Sequence, residues 1–311
     1  MNPAPPSAAP AAPTLTVSAA ASLLLATALW ASNAIVGRYL AAFIPPLTLN
    51  WMRWSLALIL LLPLAGWVLK PGSPLWRHWK RYAALGLLGI GAYNSLQYWA
   101  LHTSSALNVT LVGSSTPLWM LLVGRLFFGA RIRPLDLAGV ALSITGVGVV
   151  MTRGEWAALA GIQFVPGDLL MIAASIVWAF YNWLLSRTRE PAAVRADWAG
   201  FLLAQIALGV MWSSAFAAAE WTLPAVPPAL VLTPLVAALV FYVALGPALV
   251  SYRFWSLGVQ KTNATISGFF INFTPVFAAL MSTVLLGEPP QLYHGVAFAL
   301  IISGVFVSSR R

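Results

Sequence analysis

The sequence predicts an all-α integral membrane protein with ten transmembrane helices, arranged as two inverted five-helix repeats around a central cavity. Three observations lead there. Of 311 residues, 60% are hydrophobic and only 8% charged, where an ordinary soluble domain carries roughly 25% charged residues. The apolar residues fall into runs of about 20, the length that spans a bilayer. A long segment in the first half recurs, without a gap, in the second.

The chain opens with MNPAPPSAAPAAP, which lacks the cationic start of a signal peptide and reads as a disordered tail over residues 1–16. Apolar runs bounded by Pro, Gly or charge then follow: Val17 to Arg38, Pro46 to Leu69, Trp79 to Leu101, Ser105 to Phe128, Pro134 to Met151, Pro166 to Leu185, Ala196 to Ala218, Leu230 to Gly258, Thr262 to Leu286 and Gln291 to Ser308. The first five make one repeat, residues 17–153, and the last five the other, residues 164–311. The eighth run is long, and Tyr252, Arg253 and Lys261 near its end fit a helix, a loop or a broken segment.

Cations fix the orientation, because Lys and Arg in short loops stay on the cytoplasmic side. Lys70, Arg77, Lys80, Arg81, Arg131, Arg133, Arg187, Arg189, Arg195, Lys261, Arg310 and Arg311 fall in alternate loops and at the C-terminus, whereas the opposite loops hold little beyond Arg38 and Arg153. Both termini are expected in the cytoplasm, with the chain in the inner membrane. The formal charge of +10 is spread between runs rather than gathered on one face, so no nucleic-acid partner is expected. Cysteine is absent, which removes disulfides, thiolate chemistry and Cys-based metal sites.

The repeat lays the segment from Ala106 on that from Ala264. Thr116 meets Thr274, Pro117 meets Pro275, Gly129 meets Gly287 and Gly146 meets Gly304; a fainter match lays Trp30 on Trp178. Five helices per half is odd, so the second half enters the membrane from the other side. That plan recurs in secondary transporters, with the site between the halves near mid-depth.

These residues resemble the ten-helix, EamA-type members of the drug/metabolite transporter superfamily. The resemblance rests on the duplicated pattern of Ala, a Thr-Pro, an LxG with an acid and a glycine-bearing last helix, best seen from Phe273 to Pro289; the first half departs from it with Ala130 where the second has Glu288. It implies a transporter. The abundance of aromatics makes the chain similar to YddG-type exporters of aromatic and other neutral amino acids. A small-molecule substrate, no cofactor and a functional monomer embedded in lipid are the corresponding expectations.

Polar side chains inside spanning helices usually face the bundle interior or a water-filled path. By helical spacing Trp30 and Asn33 share a face, as do Trp178, Tyr181 and Asn182, and Tyr93, Asn94 and Gln97. The repeat lays Tyr252 on Asn94 and Trp255 on Gln97. These ten residues form the candidate substrate-binding set, since an aromatic wall with sparse amides suits an amphiphilic solute; the same residue types also serve interfaces and helix–helix bonds. Pro117 and Pro275 are candidate hinges or packing devices, because proline removes a backbone donor. Arg53 and Arg253 are expected to snorkel to headgroups. Asp136, Glu155, Asp168, Glu190, Asp197, Glu220 and Glu288 fall in loops or near helix ends, which leaves no buried carboxylate relay and favours a uniporter over a proton-coupled exporter of other metabolites or drugs. A membrane enzyme would need clustered acids or a metal motif, which His78, His102 and His294 do not supply. A channel or scaffold would be separated from a carrier by saturable flux.

Overall fold

The computed structural model describes residues 15–104, 109, 112–161, 165–187, 194, 196–222, 230–286 and 291–310. Among these there are helices and connections and no strand. Helix α1 (Val17–Leu40) begins at Thr16, whose hydroxyl accepts from the Ala19 amide at 3.2 Å, so Thr16 belongs to the first helix and not to the tail. It is followed by α2 (Pro46–Ala65), tightening into a 3-10 turn at Gly66–Leu69, then α3 (79–103), α4 (Thr116–Phe128), α5 (Pro134–Met151) and α6 (Pro166–Ser186). The second half holds α7 (Trp198–Thr222), α8 (Pro234–Lys261), α9 in two segments (Ala264–Phe270 and Phe273–Leu286) and α10 (Leu292–Ser309).

Seven of the described helices are long and apolar enough to cross a membrane; Thr116–Phe128 and Pro134–Val149 are apolar but shorter. The outer surface is apolar too: Leu126 is 73% exposed, Met211 68% and Phe127 65%. In water such a coat would far exceed the patches that monomers tolerate, whereas hydrocarbon is its natural solvent.

Hydrogen bonds show how the helices alternate. Lys261 at the end of α8 donates to Ser18 at the start of α1 (2.7 Å), Trp67 after α2 to Asp197 before α7 (2.8 Å), and Arg133 before α5 to the Ser308 carbonyl near the end of α10 (2.6 Å). At the other end, Glu220 near the end of α7 accepts from the Leu47 and Thr48 amides that open α2, at 3.0 and 2.7 Å.

Several boundaries differ from the sequence reading, α7 among them, which runs over Trp198–Thr222 rather than from Ala196 to Ala218. Helix α8 starts at Pro234 rather than Leu230, because the Thr233 hydroxyl caps it by accepting from the Val236 amide at 3.2 Å, and it continues past Tyr252 and Arg253 to Lys261. The expected start of the fourth run at Ser105 lies outside the described residues; regular α4 begins at Thr116, after a turn at Ser114–Ser115. Helix α9 carries a corresponding break at Ile271–Asn272, one residue before the position on which the alignment lays Ser114–Ser115. Pro117 and Pro275 therefore sit in the first turn after a break, where a missing N–H costs nothing, instead of kinking a continuous helix. At the LxG position Gly129 ends α4 with φ +68°, a left-handed conformation that suits glycine.

The irregularities recur in register. Helix α3 contains a π turn at Leu87–Ala92 and α8 one at Ala244–Val250, and the alignment of Ala106 on Ala264 lays Leu87 on Leu245 and Ala92 on Val250. Packing recurs as well: α3 packs on α6 as α8 does on α1, and α4 on α6 as α9 does on α1, while α5 crosses α10. At that crossing a Cβ on Gly139 would lie 2.7 Å from the Gly304 carbonyl oxygen, and one on Gly146 2.9 Å from that of Ala297. The repeat lays Gly139 on Ala297 and Gly146 on Gly304, so each contact is the image of the other. Gly86, Gly89 and Gly91 are likewise used within the chain, against Gln205, Tyr181 and Trp212.

Overpacking a tight contact typically costs about 1–3 kcal/mol. Gly304→Val should therefore lower the thermal unfolding midpoint of the detergent-solubilised protein, while Gly295→Ala, with open space beside it, should leave it unchanged. An unaltered midpoint for Gly304→Val would refute the close crossing.

Candidate functional site

A cavity of about 740 Å³ lies in the centre of the bundle. Its walls come from Trp30 and Asn33 on α1, Leu49 on α2, Tyr93, Asn94, Gln97 and Tyr98 on α3, Trp178 on α6, Tyr252 on α8, and Thr274 and Pro275 on α9. It reaches the end of the bundle where α1 joins α2, at Ala41, Ala42 and Ile44. A second cavity of about 200 Å³ lies towards the opposite end and is lined by Trp198, Gln205, Arg253 and Gln260 among others. Tyr252 borders both.

What separates them is a floor of aromatic rings. Trp178 lies 5.4 Å from Trp30, 4.5 Å from Tyr93, 4.9 Å from Tyr181 and 5.9 Å from Tyr252, centroid to centroid. Trp255 is 4.9 Å from Trp30, and Trp54 is 4.8 Å from Tyr252. Edge-to-face and offset pairs at such separations contribute about 0.5–1.5 kcal/mol each beyond burial.

The π turns explain why these rings sit where they do. Widening a helix by one residue leaves carbonyls without their usual donors. In α3 the Gly89 carbonyl accepts from the Tyr252 hydroxyl and from Asn94 Nδ2 (3.2 Å), and the Ile90 carbonyl accepts from Asn50 Nδ2 (3.1 Å). In α8 the Pro247 carbonyl accepts from Trp30 Nε1 at 3.1 Å. Gly89 and Pro247 are equivalent in the repeat, so equivalent carbonyls anchor floor residues from both halves. Only glycine fits at position 89, where a Cβ would stand 2.5 Å from the Tyr181 ring.

Of the candidate residues, Trp30, Asn33, Tyr93, Asn94, Gln97, Trp178 and Tyr252 line the large cavity. Tyr181 borders the smaller one, its hydroxyl donating to Gln205 Oε1 at 3.2 Å. Asn182 and Trp255 line neither: Trp255 Nε1 donates to Asn182 Oδ1 at 2.7 Å, and Asn182 Nδ2 to the Trp178 carbonyl at 2.7 Å. One helical turn deeper than Trp178, they brace the floor from behind. Pro275 lines the cavity, whereas Pro117 is buried beside it.

Three residues that matter were not singled out for the site. Gly89 has no side chain and so falls outside any helix-face pattern. Tyr98 lies one turn beyond Asn94 on α3 and lines the same wall. Arg53 overturns its snorkelling assignment: it is 1% exposed, because it faces α3 and not lipid, and its Nη1 donates to the Tyr98 hydroxyl at 2.7 Å. Arg253 stacks 4.2 Å from the Trp198 ring centroid and lines the smaller cavity. Among the described acids, Glu220 and Asp168 cap helix starts, Asp197 accepts from Trp67, and Asp136 pairs with Arg133 at 2.7 Å, a hydrogen bond that raises the Arg133 pKa.

Comparison with known proteins bears on this site. The EamA-like transporter family model matches residues 17–152 and 165–310. The aromatic amino acid exporter YddG of Ancylobacter novellus is 25% identical over 243 residues, 78% of each chain. The uncharacterized inner membrane transporter YedA of Escherichia coli K12 is 28% identical over 281 residues, covering 89% of this chain and 86% of its own. A solved crystal structure superposes with a TM-score of 0.69 over 94% of this chain and 96% of that one, at 22% identity, which shows a shared fold.

The brace behind the floor can be tested by itself. Trp255→Phe keeps a ring but leaves Asn182 Oδ1 buried without its donor, which should destabilise the protein by about 1–3 kcal/mol. Thermal unfolding in detergent, followed through the remaining tryptophans, would reveal it; a wild-type midpoint would dismiss the brace.

Proposed function

The chain belongs to the EamA-like transporter family, and from that premise we propose that it is a secondary carrier exporting small neutral amino acids, aromatic ones foremost, across the inner membrane by alternating access. The observation that carries this reading is the central cavity of about 740 Å³, walled by aromatic rings and amides and closed by a ring floor. Its size falls among ligand sites, about 300–1,000 Å³, and its lining combines apolar walls with few polar groups. The relative named an aromatic amino acid exporter supports the substrate class, and the one named an inner membrane transporter supports the location.

In this reading ten helices cross the membrane as inverted repeats, residues 17–153 and 164–311, with both termini cytoplasmic. The matched π turns, matched breaks and exchangeable packing support the duplication. Arg81 at the start of α3 donates to the Leu184 carbonyl near the end of α6 (2.8 Å), and Lys261 at the end of α8 reaches Ser18 at the start of α1 (2.7 Å); with the short connections from α1 through α2 to α3, this supports equivalent helices that run in opposite directions. The large cavity then faces the periplasm and the small one the cytoplasm, with the breaks before Pro117 and Pro275 as places where α4 and α9 bend. Glu220, Asp168, Asp197 and Asp136 are engaged at helix ends, which supports uniport down the solute's own gradient. One chain supplies both walls, as a functional monomer requires.

Reconstituted liposomes should take up labelled phenylalanine, tyrosine and leucine saturably, and a proton gradient should not alter the rate. Trp178→Ala removes the central ring and should lower kcat/KM about tenfold or more, and Asn94→Ala should also impair uptake, by releasing the Gly89 carbonyl and Tyr252. Absence of amino-acid uptake in vesicles with verified insertion would sink the substrate assignment. Orientation is separable, because the chain has no cysteine of its own. Ala42→Cys should react with an impermeant maleimide added outside intact cells and Gln260→Cys should not; the reverse pattern would invert the topology.

A further inference from the structure

We infer that Tyr98, backed by the buried guanidinium of Arg53, is an oxyanion-binding group of the central cavity, and that the substrate it receives carries a carboxylate. This rests on the carrier reading above and narrows its substrate class.

Arg53 lies two turns into α2, buried, with no carboxylate partner among the described residues. Its Nη1 donates to the Tyr98 hydroxyl at 2.7 Å, and its Nε has no protein partner. Guanidinium cannot shed its charge, and a cation held inside a bundle without a counter-charge is costly. Intramembrane cations that persist usually mark a substrate path.

The hydrogen bonds of Tyr98 show where that charge is delivered. A phenol oxygen accepts two hydrogen bonds and donates one. Both acceptor positions are occupied, by Arg53 Nη1 and by Asn33 Nδ2 at 3.3 Å. The hydroxyl proton has no acceptor among the described residues, and Tyr98 lines the cavity. The remaining direction for that proton is the cavity, where it offers a donor polarised by the cation behind it. Such a donor selects an anionic oxygen over a neutral one.

Two further polar atoms beside this wall are buried without a partner. Trp178 Nε1 is a second donor without an acceptor, and Asn33 Oδ1 an acceptor without a donor. Asn33 holds Tyr98 through its amide nitrogen, and its oxygen is buried against the helices. The aromatic floor takes the side chain.

The experiment compares ligands that share the phenyl ring and differ in whether they carry a carboxylate, an ammonium or both, in wild-type protein and in Tyr98→Phe, Arg53→Gln and Arg53→Lys. Competition against labelled phenylalanine in proteoliposomes would use unlabelled phenylalanine, phenylalaninamide, phenethylamine and 3-phenylpropionate, with thermal stabilisation of the purified protein by the same compounds as a binding readout. Hydrogen bonds to charged groups predict that wild type prefers phenylalanine over its amide by about tenfold to a hundredfold. Tyr98→Phe should reduce that ratio to within about threefold; Arg53→Gln should do the same and Arg53→Lys should retain part of it. Because the ratio is taken within each variant, reconstitution yield cancels, and Tyr98→Phe keeps the ring should Arg53→Gln fail to fold. Equal potency of acid and amide in wild type, an unchanged ratio in Tyr98→Phe, or no acid that is transported or stabilises the protein would overturn the inference while leaving the fold untouched. Transport of 3-phenylpropionate but not phenylalanine, lost in Tyr98→Phe, would instead overturn the amino-acid reading and keep the oxyanion site.

Discussion

Within hydrocarbon no water is available to a backbone group that leaves the helical ladder, so each departure must be answered by a side chain. Here that constraint organises the centre of the molecule. The π turns of α3 and α8 leave carbonyls unpaired, and the donors that answer them are Tyr252, Asn94, Asn50 and Trp30. Three of these four also line the cavity. The irregular backbone and the lining are therefore one feature: the turn that would be a defect in a lipid-facing helix is what holds the rings in place.

The frame repeats, but the chemistry on it does not. Gly89 and Pro247 occupy equivalent positions, yet one turn is opened by glycine against a tyrosine ring and the other by a proline that cannot donate. Asn94 has Tyr252 as its counterpart, an amide against a phenol. Arg53, Tyr98 and Asn33 gather on the side of α1 to α3. A cavity with one polar wall can orient a solute that has a charged end and an apolar end, which a symmetric lining could not do.

Much of this was legible in the sequence because it depends on period and composition. Apolar runs located the helices to within a few residues, and ungapped correspondences such as Thr116 with Thr274 matched the positions where the helices break. Spacing on a helix face brought Trp30, Asn33, Tyr93, Asn94 and Trp178 to one cavity. The errors have physical causes. Asn182 and Trp255 share the face of cavity residues but lie one turn deeper, a difference of depth that periodicity does not carry. Arg53 was judged by its nearness to a helix end, whereas its burial depends on which neighbour α2 faces. Gly89 acts through its carbonyl, and a carbonyl has no sequence signature.

The position of the floor bears on how a carrier could reuse one site from two sides. Residues related by the repeat touch each other at the centre: Trp30 and Trp178 have ring centroids 5.4 Å apart, and Asn94 Nδ2 lies 3.2 Å from the Tyr252 hydroxyl. Equivalent residues can meet only near the axis that relates them. When two halves exchange conformations about such an axis, residues far from it are uncovered on one side and covered on the other, but residues beside it stay central in both arrangements. In the alternating-access cycle proposed above, Trp30, Trp178, Asn94 and Tyr252 would therefore stay central in both arrangements. Tyr98 stands on the wall above this floor, which fits a group that holds the solute's charged end while its apolar end rests against the rings.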